Sequence, residues 1–156
     1  MLDKIINECL EKYEGGEKFF DALDYQIRNN DELLDLLIDI INGIKYDYIV
    51  VSGHFGSVFK TYCKNTNKLD YSSIIKVSGG LRKEKEVEDF YKHYNINNKR
   101  IIFLDDTYFS GTTKNKIVTC LTSNHANYIG TYVIYDGSKI KSDDVTSMYR
   151  YYDHFS

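Results

Sequence analysis

Along the first third of the chain the apolar residues recur at helical spacing. Leu2, Ile5, Ile6, Cys9 and Leu10 share one face, and Phe19, Phe20, Leu23 and Ile27 make a second amphipathic run. Leu33 to Ile41 predict a third helix, which Asn30 or Asp31 can cap and Gly43 would end. From Tyr46 the pattern alternates between strand and helix. Strand-like Tyr46–Ser52 leads through Gly53-His54-Phe55-Gly56 into a helical run over Ser57–Lys64. Strand-like Ser72–Ser78 leads through Gly79-Gly80 into a charged helix, roughly Lys83–Tyr94. Strand-like Arg100–Leu104 is followed by a short loop and a helix to about Ser123, and Ala126–Tyr135 reads as a fourth strand.

Four strands separated by helices predict an α/β domain: a mainly parallel central sheet, right-handed crossovers, and helices on both faces. Ligands of such sheets bind outside the carboxyl ends of the strands, where all three glycine-containing loops fall. No repeat or linker divides the 156 residues, so a single domain is expected. The N-terminal helices (1–44) and the tail (136–156) then belong to the same domain.

Composition narrows the function classes. With 42% hydrophobic and 28% charged residues the chain reads as globular, and no apolar run approaches the ~20 residues of a membrane span. The start Met1-Leu2-Asp3-Lys4 lacks a secretory apolar region, which predicts a soluble, cytoplasmic protein without a membrane partner. A formal charge of −3 gives no footprint for nucleic acid. Cys9, Cys63 and Cys120 are scattered and predict free thiols in a reducing compartment. The four histidines are scattered too, which argues against a zinc site. Proline is absent, so turns rely on Gly, Asn, Asp and Ser, and any cis peptide would have to be non-proline.

The chemistry concentrates in residues 101–113, Ile-Ile-Phe-Leu-Asp-Asp-Thr-Tyr-Phe-Ser-Gly-Thr-Thr. An apolar strand ends on two carboxylates, and a hydroxyl-rich turn around Gly111 opens a helix. Backbone N–H groups at such a helix start hold phosphate, and carboxylates accept hydrogen bonds from vicinal sugar hydroxyls. The run resembles the phosphoribosyl-pyrophosphate (PRPP) signature of the type I phosphoribosyltransferases: four apolar residues, two acids, three variable positions, Thr or Ser, Gly, any residue, Thr. Asp105, Asp106, Ser110, Gly111 and Thr113 fill its constrained positions.

The resemblance implies that PRPP binds with Mg²⁺ and that its phosphoribosyl group passes to a nucleobase or similar nitrogen acceptor, with release of pyrophosphate. It implies catalytic roles for Asp105 and Asp106, with Asp105 the candidate acid contact to Mg²⁺. The 5′-phosphate would be held by Phe109, Ser110, Gly111, Thr112 and Thr113. Ser52, Gly53 and His54 match the position of the family's pyrophosphate loop, which often contains a cis peptide. Gly79-Gly80-Leu81-Arg82-Lys83-Glu84-Lys85 resembles the mobile basic loop of orotate phosphoribosyltransferases. Arg82, Lys83 and Lys85 would then close over the pyrophosphate, although the same alternating charges suit a solvated helix face. Tyr135, at the end of the last strand, is the candidate to stack on a base, and a homodimer is a candidate assembly. The resemblance also implies a small hood, formed by the N-terminal helices (1–44), the tail (136–156) or both.

Two departures from the purine-specific relatives stand out: no lysine follows Tyr135 directly, and Phe109 replaces the aspartate before the Ser-Gly. They keep open a non-catalytic regulator that binds PRPP or a nucleotide on the same fold. A phosphatase of the haloacid-dehalogenase type needs Asp-x-Asp, which adjacent Asp105 and Asp106 do not supply. The aromatic tail Tyr149–Phe155 could stack on a base, cover an apolar face or make a dimer contact.

Overall fold

The computed structural model describes residues 2–13, 17–77 and 93–155. Three N-terminal helices, α1 (Leu2–Tyr13), α2 (Glu17–Arg28) and α3 (Asp31–Asn42), precede the sheet. Asn30 caps α3: its side-chain oxygen accepts the Leu33 N–H at 3.2 Å. Gly43 ends the helix with a right-handed φ of −82°, so this end makes no use of glycine's freedom. The alternating part comprises β1 (Tyr48–Ser52), α4 (Gly53–Thr66), β2 (Ile74–Val77), β3 (Arg100–Tyr108), α5 (Thr112–Ser123) and β4 (Asn127–Asp136). The tail adds β5 (Val145–Arg150) and one helical turn, α6 (Tyr151–His154).

The five strands form one sheet in the order β2-β1-β3-β4-β5, and every pairing is parallel. Part of the tail left as hood material is thus a fifth strand, Thr131 to Asp136 of β4 pairing with Val145 to Arg150. Its sequence, Val-Thr-Ser-Met-Tyr-Arg, carries few apolar residues because it lies at the sheet edge and has less to bury.

Alternation along the strands sorts the core into two layers. Ile49, Val51, Ile102 and Leu104 pack with α1 to α4, whereas Val50, Ile75, Ile101 and Phe103 pack with Ile117 and Leu121 of α5. From β1 the chain steps to β2 through α4, and from β3 it steps the opposite way to β4 through α5. Right-handed crossovers in opposite directions put these two helices on opposite faces. The direction reverses between β1 and β3, and their carboxyl ends therefore flank the crevice where a doubly wound sheet binds its ligand. The charged helix expected near Lys83–Tyr94 falls almost wholly outside the described residues.

Candidate functional site

At the crevice β3 runs further than its apolar residues indicate. The strand continues through Asp105 and Asp106 to Tyr108, held on one side by β4, with Thr107 opposite Tyr135 and Tyr108 opposite Asp136. On its other side β1 pairs only as far as Val51 with Leu104, then turns into α4. The acids occupy this half-open stretch and bind its backbone. Asp105 Oδ1 accepts the N–H of Asp106, and Asp106 Oδ1 accepts the N–H of Thr107, each at 2.9 Å.

After β3 the chain turns at Gly111, whose φ of +79° lies in the left-handed region that glycine enters freely. A Cβ there would also sit 2.8 Å from the Tyr108 hydroxyl. Helix α5 starts at Thr112, whose N–H makes a long 3.4 Å bond to the Ser110 hydroxyl. Its N-cap residue, Gly111, has no side chain to cap the following N–H groups of the first turn, which an anion could take. The Ser110 and Thr112 hydroxyls lie 3.0 Å apart beside them. Together Asp105, Thr107, Tyr108 and residues 109–114 line a cavity of about 210 Å³, floored by Phe103 and Val133. A larger cleft, about 730 Å³ between α1 and α2, contains none of the motif residues.

The two acids are not equivalent. Asp105 lines the cavity, whereas Asp106 is only 7% exposed and does not. Burial, followed by the negative charge of Asp106, pushes the Asp105 carboxyl well above the usual carboxylate range. A third carboxyl joins them, unforeseen in the sequence. Asp24 of α2 lies close enough to feel the acids and is pushed up to about 6, first by burial and then by the charge of Asp106. Its Oδ1 is buried without a hydrogen-bond partner among the described residues. Asp24 follows buried Leu23 on an amphipathic helix, and only packing of α2 on β3 brings it here.

Comparison with known proteins gives a likeness of fold at low sequence identity. Neither a protein-family model nor a curated protein matches the chain. A purine phosphoribosyltransferase from Pyrococcus horikoshii Ot3 superposes with a TM-score of 0.54 at 15% identity, over 77% of this chain and 81% of that one. An orotate phosphoribosyltransferase from Mycobacterium tuberculosis H37Rv, in complex with inorganic phosphate, gives 0.53 at 13% identity over 83% and 76%. A hypothetical protein from Neisseria gonorrhoeae with bound ppGpp gives 0.53 at 15% identity over 76% and 77%. The fold is that of the type I phosphoribosyltransferases.

Within this phosphoribosyltransferase fold the expected site residues separate into groups. Asp105, Phe109, Ser110, Gly111, Thr112 and Thr113 come together around the cavity. Ser52, Gly53 and His54 do not line it; they stand at the end of β1, just past the pairing of Val51 with Leu104. Helix α4 begins at Gly53 rather than at Ser57, so Gly53 to Gly56 form its first turn and not a separate loop. Gly53 has φ +64°, while Gly56 lets α4 lie against β1, where a Cβ would meet Val51 at 3.1–3.3 Å. All described peptide bonds are trans. Arg82, Lys83 and Lys85 lie outside the described residues.

Tyr135 is a core residue in this structure, at 2% exposure. Tyr149 stacks on it at 5.8 Å, Phe109 packs against it at 5.8 Å, and no ring face is left for a base. A Cβ on Gly137 would strike the Phe109 ring at 2.5 Å, so this glycine is set by aromatic packing. Lys114 also lines the cavity and went unforeseen. The sequence signal was available: a lysine one position beyond the motif's last threonine, in the first turn of α5.

Proposed function

We propose that the chain binds PRPP with Mg²⁺ in this cavity and transfers its phosphoribosyl group to a nitrogen acceptor, releasing pyrophosphate. The observation that carries the proposal is the cavity itself, lined by one carboxyl of a strand-end pair and by a helix start that is reached through a left-handed glycine. Its volume of about 210 Å³ suits a sugar phosphate rather than a whole nucleotide, which leaves pyrophosphate and acceptor to the open crevice toward β1.

In this reading the 5′-phosphate lies on the N–H groups of Phe109 to Thr113, assisted by the Ser110, Thr112 and Thr113 hydroxyls. Asp105 accepts a ribose hydroxyl, and its ionised form opposes the positive charge that grows on the ribose as the leaving group departs. Asp106, buried beneath it, fixes the backbone and does not itself reach the ligand. Ser52, Gly53 and His54 bind the pyrophosphate at the start of α4, and Arg82, Lys83 and Lys85 are candidates to cover it.

Asp105 fits Mg²⁺ as a single carboxylate beside phosphate oxygens, the donor set this hard ion prefers. Among the described residues no group of three His, Cys, Asp or Glu side chains could hold a metal ion, so substrate oxygens and water would supply the remaining ligands. When bound, Mg²⁺ would neutralise charge on the departing pyrophosphate.

Calorimetric titration with PRPP and Mg²⁺ tests the site, with Asp105→Asn and Gly111→Val as controls and far-UV circular dichroism confirming their folding. Micromolar binding is expected in the wild type and its loss in both variants; unchanged affinity in both would sink the assignment. Pyrophosphate release against a panel of bases then decides turnover. Binding with no release against any base would indicate a PRPP-binding regulator instead.

A further inference from the structure

The link between β4 and β5, residues 137–144, returns along the sheet as an irregular strap. It is tied to the phosphate-loop side of the cavity at two points. The hydroxyls of Tyr108 and Ser142 lie 3.1 Å apart, and Lys114 Nζ stands 2.6 Å from Asp144 Oδ2. Asp144 is itself held in place: Tyr128 donates to its Oδ2 at 2.8 Å, and its carbonyl accepts the Thr131 N–H at 2.8 Å. Burial alone would raise the Asp144 carboxyl, but hydrogen bonds from Lys114 and Tyr128 outweigh it and leave the group below the usual carboxylate range.

Lys114 is an unusual lysine. It is only 9% exposed, whereas lysines are almost never buried without a partner. Its partner is lopsided, because the Asp144 side chain is 36% exposed against 10% for Lys114. The cation is thus the more deeply buried half of the pair, and it lines the cavity. Among the described lining residues it is the one basic side chain, set against a single acid, Asp105. A phosphate on the start of α5 would meet the ammonium that the strap now neutralises.

We propose that Lys114 is a phosphate-binding residue of the cavity and that Asp144 of the strap competes with the ligand's phosphate for it. The inference rests on the sugar-phosphate site proposed above and adds to it both a cation and a brake on affinity. A structural clamp and a competing counter-ion differ in sign. If Asp144 competes, Asp144→Asn leaves the buried ammonium short of negative charge and more strongly drawn to an anion. If the pair only braces the loop, the same change loosens the loop and weakens binding.

Inorganic phosphate and ribose 5-phosphate are the probes, titrated calorimetrically into the full chain and its variants at low salt. Lys114→Met is expected to raise both dissociation constants about tenfold or more, the loss of one charge-assisted contact, with Lys114→Arg restoring most of the affinity. Asp144→Asn is expected to tighten binding about threefold or more. Wild-type affinity in a folded Lys114→Met overturns the proposal, as does weakened binding in Asp144→Asn. Should Lys114→Met fail to fold, the sign of the Asp144→Asn effect decides alone. A folded wild type that binds neither probe removes the underlying site and this inference with it. Binding that Lys114→Met leaves unchanged removes this inference only.

Discussion

Three carboxyls, Asp24, Asp105 and Asp106, share one desolvated region at the end of β3, and each addition of charge there costs more than the last. The consequence is measurable at Asp24, whose carboxyl rises from 3.8 to about 6 on folding. A raised carboxyl binds its proton more tightly in the folded than in the unfolded chain. The folded state is therefore penalised as pH climbs from about 4 through 6, and the full penalty applies above that window. Asp24→Asn should remove it, raising stability by about 1–3 kcal/mol at pH 7.5 and by almost nothing near pH 4. Urea denaturation of both proteins at the two pH values checks this, and a gain that does not vary with pH would contradict it. The sequence shows Asp24 only as a polar residue on an amphipathic helix. Its proximity to the motif is a contact between α2 and β3, and no local pattern encodes that.

Element boundaries followed neighbours more than propensity. The β3 segment is apolar only to Leu104, yet the strand runs to Tyr108 because β4 offers partners that far. Helix α4 begins at Gly53 rather than at Ser57 because β1 loses its pairing there and the backbone turns at a left-handed glycine. Where a boundary depends on local chemistry, sequence reasoning locates it directly. Asn30 is such a case, a side chain placed to accept the Leu33 N–H before the buried stripe Leu33, Leu34, Leu37, Ile38 and Ile41. Asn30→Ala should cost about 1 kcal/mol, while Asn30→Asp or Asn30→Ser should stay within a few tenths of wild type. Thermal unfolding followed by circular dichroism measures both, and equal loss in all three variants would show that the side-chain cap is not what matters.

For the molecule as a whole, β5 decides whether the sheet is complete. It pairs with the last half of β4, and its Tyr149 covers one face of the buried Tyr135. A chain ended after Gly137 would expose that ring together with the edge of β4, and such an open, partly apolar edge invites aggregation. It should lose cooperative unfolding and partition into the insoluble fraction. A soluble truncated chain with a sharp melting transition would show instead that β5 is dispensable.

Much of this architecture was legible beforehand. Alternating apolar runs and helical periods specify a parallel α/β sheet, because burial on both faces leaves its strands few other patterns. The run from Ile101 to Thr113 specified a strand, a tight turn and a helix start, because a left-handed glycine between a strand and a helix is a local arrangement that a short sequence can encode. The tertiary structure alone decided the rest: which acid faces the cavity, the arrival of Asp24 from α2, the burial of Tyr135, the polar strand β5, and the pairing of Lys114 with Asp144. Each of these depends on residues distant in the chain meeting across the sheet. Periodicity and motif spacing carry only local information, so packing had to settle them.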